Sequence, residues 1–175
     1  MKKAIIYLFS GTGNTRYVAN SIKTELTKQN TSTDIVEVSR PFSLEKQPSD
    51  YDIIGFGYPI HAFNCPKIMV DFVQALKICP DKYTFIFKTS GEPFKLNNAS
   101  SYLLKNVLIT KGISINYEQH ILMPYNIMFR YNDHIVKQML IYMHALTKVL
   151  AIKITNRSSM RIKYNIFHIL TSFIF

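Results

Sequence analysis

The sequence predicts a single α/β domain in which a parallel β-sheet is covered by helices on both faces. Short and nearly unbroken apolar runs, such as residues 4–9 and 53–58, are typical of strands that are buried on both faces. Along the chain these runs alternate with segments whose apolar residues recur every three or four positions, as in amphipathic helices. The length of 175 residues suits one domain with one substantial core.

The predicted elements alternate along the chain. Strands are predicted at residues 4–9, 33–38, 53–58 and 83–88 and within 113–123, and helices at 14–28, 66–77, 97–110 and 134–154. The first helix has Val18, Ile22 and Leu26 on one face. The second begins at Pro66, because proline is tolerated where the first turn lacks a hydrogen-bond acceptor for its N–H. A polar loop is predicted at residues 39–52.

The composition indicates a basic globular protein. The formal net charge is +10, which favours anionic partners, but no nucleic-acid-binding motif accompanies it, and nucleic acid is not predicted as a partner. No run of 18 apolar residues is present, so a membrane is not expected as a partner. A cytoplasmic location is expected. Cys65 and Cys79 are too few for an iron–sulfur cluster and form no metal-binding pattern, so they are expected to be small hydrophobic residues or surface thiols.

Residues 154–175 differ from the rest and are interpreted as an atypical apolar and basic tail that follows a domain at residues 1–153. The tail holds three basic residues, no acidic residue and a final apolar run at residues 166–175. Ten residues are too few to span a bilayer. The run could pack on the core, pair at a sheet edge, anchor the chain to a membrane surface, or be the remnant of a truncated chain.

The loop at residues 10–15 carries the clearest chemical signal. It follows the first predicted strand and opens the first predicted helix, where backbone N–H groups lack partners and the helix dipole favours an anion. Glycines let the backbone curl around an anion, and short hydroxyl and amide side chains add donors. The loop consists of Ser10, Gly11, Thr12, Gly13, Asn14 and Thr15. We therefore expect it to hold a phosphate group.

Pattern excludes two common nucleotide loops. A Walker A loop needs a Gly-Lys-Ser/Thr ending, and no lysine follows these glycines. The dinucleotide fingerprint needs a third glycine where Arg16 stands. The remaining alternative is a tight turn that only begins a helix.

The string Ser-Gly-Thr-Gly-Asn-Thr resembles the phosphate loop of flavodoxins, which bind flavin mononucleotide (FMN). The segments YPIHAFNCPK, KTSGEP, NNASSYLLK and HILMPYNIMFRY further resemble the flavodoxin half of flavodoxin–ferredoxin fusion proteins of anaerobes. The resemblance covers residues 2–152. It implies a flavodoxin-like, doubly wound, five-stranded parallel sheet of order 2-1-3-4-5 in a three-layer α/β/α arrangement.

The resemblance also implies two further loops that border the flavin ring at the carboxyl ends of the strands. The loop after the third strand should cover one face of the ring and consists of Pro59, Ile60, His61, Ala62, Phe63 and Asn64. The loop after the fourth strand should border the other face and contains Thr89, Ser90, Gly91 and Glu92. Met123, Pro124, Tyr125 and Asn126 are interpreted as the turn that ends the fifth strand near the flavin or a fusion partner. No metal site and no catalytic residue are predicted.

The sequence departs from the family in three respects. Flavodoxins often stack Trp and Tyr on the flavin, but this chain has no Trp, so stacking would use His61, Phe63 or backbone. Flavodoxins are acidic, whereas this chain is basic, which predicts an acidic redox partner such as a ferredoxin. The cysteine runs of the ferredoxin half are missing, so electrons would come from a separate protein.

The predicted function is that of an FMN-binding, flavodoxin-like electron-transfer protein. A flavin-dependent oxidoreductase activity stays open, whereas a hydrolase or transferase is not expected. The alternative is a truncated flavodoxin-fold interaction module that binds flavin weakly or not at all. The sequence leaves the reduction potential, the substrate and the oligomeric state open.

Overall fold

The predicted sheet is confirmed. In the computed structural model, which describes residues 1–77, 80–125 and 131–172, the sheet consists of β1 (Lys2–Leu8), β2 (Thr31–Glu37), β3 (Ile53–Pro59), β4 (Tyr83–Ser90) and β5 (Tyr117–Leu122). Each neighbouring pair is parallel, and the strand order is β2-β1-β3-β4-β5. All carboxyl ends of the strands therefore lie at one edge of the sheet, where the three predicted loops meet.

Helices cover both faces of the sheet. Side chains of α1 (Asn14–Lys28) and α4 (Asp133–Thr155) bury one apolar face with Ala4, Ile6 and Leu8 of β1. Side chains of α2 (Lys67–Ala75) and α3 (Tyr102–Thr110) bury the other face with Ile5 and Tyr7. Successive residues of β1 thus enter opposite cores, which is why its sequence is apolar without alternation. The arrangement is the predicted three-layer α/β/α fold.

Local differences from the sequence prediction arise where polar residues compete with the backbone. The helix predicted at residues 97–110 begins as a 3₁₀ helix, Lys95–Ser101, and becomes α3 only at Tyr102. The hydroxyl of Ser100 donates to the carbonyl of Asn97 at 2.8 Å, a local bond that α-helical geometry does not need. The predicted polar loop contains a further short 3₁₀ helix, Pro48–Asp50.

The chain after α4 returns to the sheet. Met160 forms a parallel bridge with Tyr117 at the outer edge of β5, since its amide donates to the carbonyl of Asn116 and its carbonyl accepts from the amide of Glu118, both at 2.9 Å. The following helix α5 (Ile166–Ser172) lies against the 3₁₀ helix that precedes α3 and leaves Phe167 exposed. The pairing at the sheet edge is thus made by Met160 and not by the apolar run at residues 166–175, for which the sequence left several alternatives open; the described part of that run forms α5.

Helix α4 has an unusual composition for a surface helix. Within the described ranges it alone is long and apolar enough to cross a membrane, and only 22% of its most apolar window is buried. It nevertheless belongs to the helical layer, because it packs along α1, where the hydroxyls of Ser21 and Thr147 lie 2.8 Å apart. Length and apolarity alone are therefore weak evidence for a membrane span here.

The two cysteines were expected to be small hydrophobic residues or surface thiols. Cys65 is buried beside α2, and burial raises the pKa of its thiol well above the ordinary value. It therefore behaves as a small apolar side chain. Cys79 lies outside the described residues.

Candidate functional site

The predicted loops converge at the carboxyl edge of the sheet. One cavity there is lined by residues that follow β1, β3, β4 and β5: Ser10, Gly11, Thr12, Asn14, Thr15, Pro59, Ile60, His61, Thr89, Ser90, Gly91, Met123, Pro124 and Tyr125. A second cavity adjoins it and is lined by Ile60, Ala62, Phe63, Ser90, Gly91, Glu92, Phe94, Asn97 and Tyr125. We call the first the phosphate-end cavity and the second the ring-end cavity.

The loop after β1 presents an open cradle at the start of α1. Gly13 occupies the left-handed region with φ +94°, which glycine adopts without the strain of a side chain. A Cβ added at Gly11 or Gly13 would meet no atom within 4 Å. The first helical bond runs from the amide of Tyr17 to the carbonyl of Gly13 at 2.9 Å, so the amides before it precede the helical ladder. These features suit an anion bound at a helix N-terminus.

Side chains of the same loop connect it to the neighbouring strands. The hydroxyl of Thr15 is buried and lies 2.9 Å from that of Thr89 at the end of β4. The amide of Asn14 donates to the carbonyl of Pro124 after β5 at 2.8 Å. Ser10 accepts a 3.2 Å bond from the amide of Arg16. The loop is thus held in place by polar contacts that the sequence pattern alone does not reveal.

The loop after β3 forms a two-residue turn. His61 and Asn64 exchange backbone bonds of 3.0 and 2.8 Å, and between them Ala62 and Phe63 have φ of 45° and 63°. Two consecutive left-handed residues are what a tight I′ turn requires, and they are costly without glycine. Asn64, one of the predicted cofactor contacts, lines neither cavity and closes this turn through its backbone; its contact with a cofactor stays a prediction.

The loop after β4 is tied to β5 and to the 3₁₀ helix. The hydroxyl of Ser90 donates to the carbonyl of Glu92 at 2.8 Å and lies 2.7 Å from Nε2 of His120. The amide of Asn97 donates to the same carbonyl at 2.9 Å. Burial, and secondarily the ammonium of Lys88, lower the pKa of His120 to about 4, so its imidazole is neutral at pH 7.

Tyr125 lines both cavities and was not among the predicted cofactor contacts. Its ring lies so close to Gly91 that a Cβ at that position would overlap it. Tyr131, which was not predicted either, donates a 2.8 Å bond to the carboxylate of Glu92. The chain after β5 thus places two tyrosines beside the loop after β4, a contribution that the sequence indicated only through its Met-Pro-Tyr-Asn motif. Asn126 of that motif lies outside the described residues.

A buried ionic cluster lies between β4, β5 and α3. Glu118 of β5 and Lys88 of β4 have fully buried side chains, and their charged atoms are 2.9 Å apart. Lys105 of α3 contacts the other carboxylate oxygen of Glu118, and Ser101 donates to the first at 2.5 Å. Burial raises the pKa of Glu118, but the two ammonium groups offset this and hold it below the usual range. This cluster was not predicted, although a charged residue within each of two neighbouring strands, Lys88 in β4 and Glu118 in β5, could have indicated it.

The described residues contain no group of three His, Cys, Asp or Glu side chains that could hold a metal ion. At this edge of the sheet the described residues offer hydrogen-bond donors, the glycine cradle and two cavities with apolar walls.

Residues 5–111 match the family model of the flavodoxin domain, which is more than half of the chain. The chain belongs to the flavodoxin-domain family. The match includes the phosphate-end loop and the loops after β3 and β4, whereas Tyr125 and Glu118 lie beyond it.

Solved flavodoxins share the fold of this flavodoxin-domain protein at low sequence identity. Flavodoxin 2 of Bacillus cereus superposes with a TM-score of 0.63 at 15% identity, over 89% of this chain and 99% of that one. A flavodoxin from the domain Archaea gives 0.57 at 16% identity, over 87% and 99%. The Flv1 flavodiiron core from Synechocystis gives 0.58 at 14% identity, over 89% of this chain but 36% of that one. No curated protein sequence matches the chain.

Proposed function

We propose that this flavodoxin-domain protein binds FMN non-covalently and carries electrons between redox proteins. The observation that carries the proposal is the open cradle of Gly11 and Gly13 at the start of α1, joined to two cavities at the carboxyl edge of the sheet. An elongated ligand with an anionic end and a flat apolar end fits this combination.

The residues present suit each part of FMN. The phosphate would be held by the backbone amides and hydroxyls of the loop at residues 10–15, and the ring system would lie by the turn containing Ala62 and Phe63 and by the loop containing Gly91. When bound, FMN supplies one- and two-electron chemistry that no side chain of the protein can perform.

The protein's own groups define the surroundings of the ring end. His120 is neutral at pH 7 and adds no charge there, but it holds the hydroxyl of Ser90 at the wall of both cavities. Glu92 is kept in place by the hydroxyl of Tyr131. Phe63 and Phe94 meet edge to face, with ring centroids 6.5 Å apart, and give the ring-end cavity an apolar wall.

An acidic redox protein, such as a ferredoxin, is the proposed partner. The net charge of +10 would attract a negatively charged carrier and repel a basic one. We expect the second-order rate of electron exchange with an acidic ferredoxin to fall as ionic strength rises. A rate independent of ionic strength would remove the basis of this proposal. A cytoplasmic location remains part of it.

A flavin titration followed by photoreduction tests the proposed function. The purified protein should quench the fluorescence of added FMN to a stoichiometry of one per chain, and the bound flavin should be reversibly reduced and reoxidised. A folded protein that takes up no FMN would contradict the proposal and support the alternative, an interaction module of the same fold.

A further inference from the structure

The ionic cluster of Lys88, Lys105 and Glu118 contains two cations and one anion in the interior of the protein. The side chains of Lys88 and Glu118 are fully buried, and that of Lys105 is 10% exposed. Nζ of Lys88 also donates to the carbonyl of Asn98 at 3.0 Å, and Nζ of Lys105 lies 5.1 Å from the ring centroid of Tyr164. Within the described part of the chain, Glu118 is the carboxylate that both ammonium groups contact.

The cluster lies close to residues that line the ring-end cavity, because Lys88 contacts Asn98, whose neighbour Asn97 lines it. Lys88 and Ser90 are two residues apart on β4, so their side chains project from the same face of the sheet, roughly 7 Å apart along the strand. Ser90 lines both cavities. In the sheet register Lys88 is paired with His120, whose ring contacts the hydroxyl of Ser90 at 2.7 Å. One hydroxyl and one neutral imidazole therefore lie between the buried charges and the cavity.

Charge near the site affects oxidised and reduced ligand differently. In the reduction of FMN, two electrons from a redox protein and one proton from water leave one additional negative charge on the ring system. A buried excess of positive charge attracts that negative charge through a medium of low dielectric constant, where little water screens it. Exposed lysines contribute far less because solvent and salt screen them.

We propose that the Lys88–Lys105–Glu118 cluster raises the affinity for reduced FMN relative to that for oxidised FMN, compared with the same site without net buried charge. The cluster thereby favours the acceptance of electrons. The proposal rests on FMN binding as the proposed function. Lys88, Lys105 and Glu118 are positioning and tuning residues in it, since none of them lines either cavity.

The test compares variants that change the buried charge in opposite directions. Dissociation constants for oxidised and reduced FMN are measured by fluorescence and by anaerobic titration with dithionite as reductant, and their ratio is the readout. Lys105→Gln removes a cation and should lower the preference for reduced FMN on the order of tenfold. Glu118→Gln removes the anion and should raise it, but by less, because burial lowers the pKa of Lys88 and loss of the carboxylate that offsets this favours the neutral amine. Lys67→Gln is the control, because its side chain is 85% exposed, and it should change the ratio less than about twofold.

A second pair of variants covers the case in which a single substitution prevents folding, which circular dichroism detects. Lys88→Met/Glu118→Gln removes one charge of each sign, and adding Lys105→Gln to it removes the remaining cation. The preference for reduced FMN should then differ on the order of tenfold between the double and the triple variant. Equal ratios in either pair, or shifts of the same sign for Lys105→Gln and Glu118→Gln, would overturn the proposal. A folded wild-type protein that binds no FMN would instead overturn the proposed function on which it rests.

Discussion

The two ends of the candidate site are built in different ways. The loop at the phosphate end consists of consecutive residues, 10–15, with two glycines and short hydroxyl and amide side chains. The residues that line the ring-end cavity alone come from segments far apart in sequence, including Ala62, Phe63 and Phe94. A substitution at the open position Gly11 should therefore have little effect on folding, whereas changes at the ring end also perturb contacts between distant segments.

Because the two ends are built differently, each recognises a different part of a ligand. A cradle of N–H donors distinguishes ligands with a phosphate from ligands without one. The apolar walls of the ring-end cavity and the charges near it distinguish ring systems and their charge state. FMN and riboflavin differ only in the phosphate, so together they report on the two ends separately.

Loss of the buried carboxylate should have the largest effect. Glu118→Gln leaves Lys88 and Lys105 without their buried counter-charge, which should lower the free energy of unfolding at pH 7 by about 3 kcal/mol. Because the pKa of Glu118 is lowered in the fold, its stabilising contribution is present above the pKa of the unfolded chain and is lost as pH falls through the folded pKa. The difference between wild type and variant should therefore shrink on acidification.

Urea unfolding at a series of pH values measures this effect. Glu37→Gln is the control, since the pair of Glu37 with Arg16 is exposed and should contribute less than about 1 kcal/mol. A gap between Glu118→Gln and wild type that stays constant from neutral to acidic pH would contradict the assigned charge state of the cluster.

A negative charge in the cradle should separate the two ligands most strongly. Gly11→Asp places a carboxylate where the added Cβ meets no atom within 4 Å, so the protein should fold, but repulsion should weaken FMN binding about 100-fold. Binding of riboflavin should be unchanged. Gly11→Asn has nearly the same shape without the charge and should lose much less FMN affinity. Equal FMN losses in both variants would show that shape rather than charge is decisive.

Gly91→Ala should weaken binding at the ring end and leave the ratio of FMN affinity to riboflavin affinity unchanged. The added Cβ would overlap the ring of Tyr125 and force it to move, which should weaken FMN and riboflavin alike by about tenfold. Fluorescence titration with both ligands measures this. The double variant Gly91→Ala/Tyr125→Ala removes the overlap and should recover part of the binding. A loss confined to FMN would mean that Gly91 belongs to the phosphate end.

Thr15→Val should have the smallest effect. It removes one member of the buried hydroxyl pair between α1 and β4 and leaves Thr89 without it, at a cost of about 1 kcal/mol in the free energy of unfolding. Thr27→Val is the matched control on the same helix, because the hydroxyl of Thr27 bonds to Lys23 at an exposed position. Equal urea midpoints for the two variants would argue against a structural role of the Thr15 pair.

The sheet and the phosphate end could be predicted from sequence because both depend on local patterns. Unbroken apolar runs such as that of β1 specify strands buried on both faces, and the glycine string specifies a turn into a helix wherever it follows such a strand. Their physical causes act within a few residues. The strand order, in contrast, was obtained only from the resemblance to flavodoxins.

The ring end could not be predicted to the same extent, because its contacts join distant segments. The approach of Tyr125 to Gly91 and the pairing of Glu118 with Lys88 and Lys105 depend on which strands and helices become neighbours. Asn64 has a role that the resemblance did not indicate: its backbone closes a turn with two left-handed residues, and its contact with a cofactor stays a prediction. Loop residues near a site can thus also serve the loop itself.

The central claim is that this fold holds a flavin by its phosphate, and parallel titrations of the wild-type protein with FMN and riboflavin test it most directly. Several charge-assisted bonds to the phosphate should make FMN bind on the order of 100-fold more tightly than riboflavin. Equal affinities, or no quenching of either flavin by the folded protein, would contradict the account.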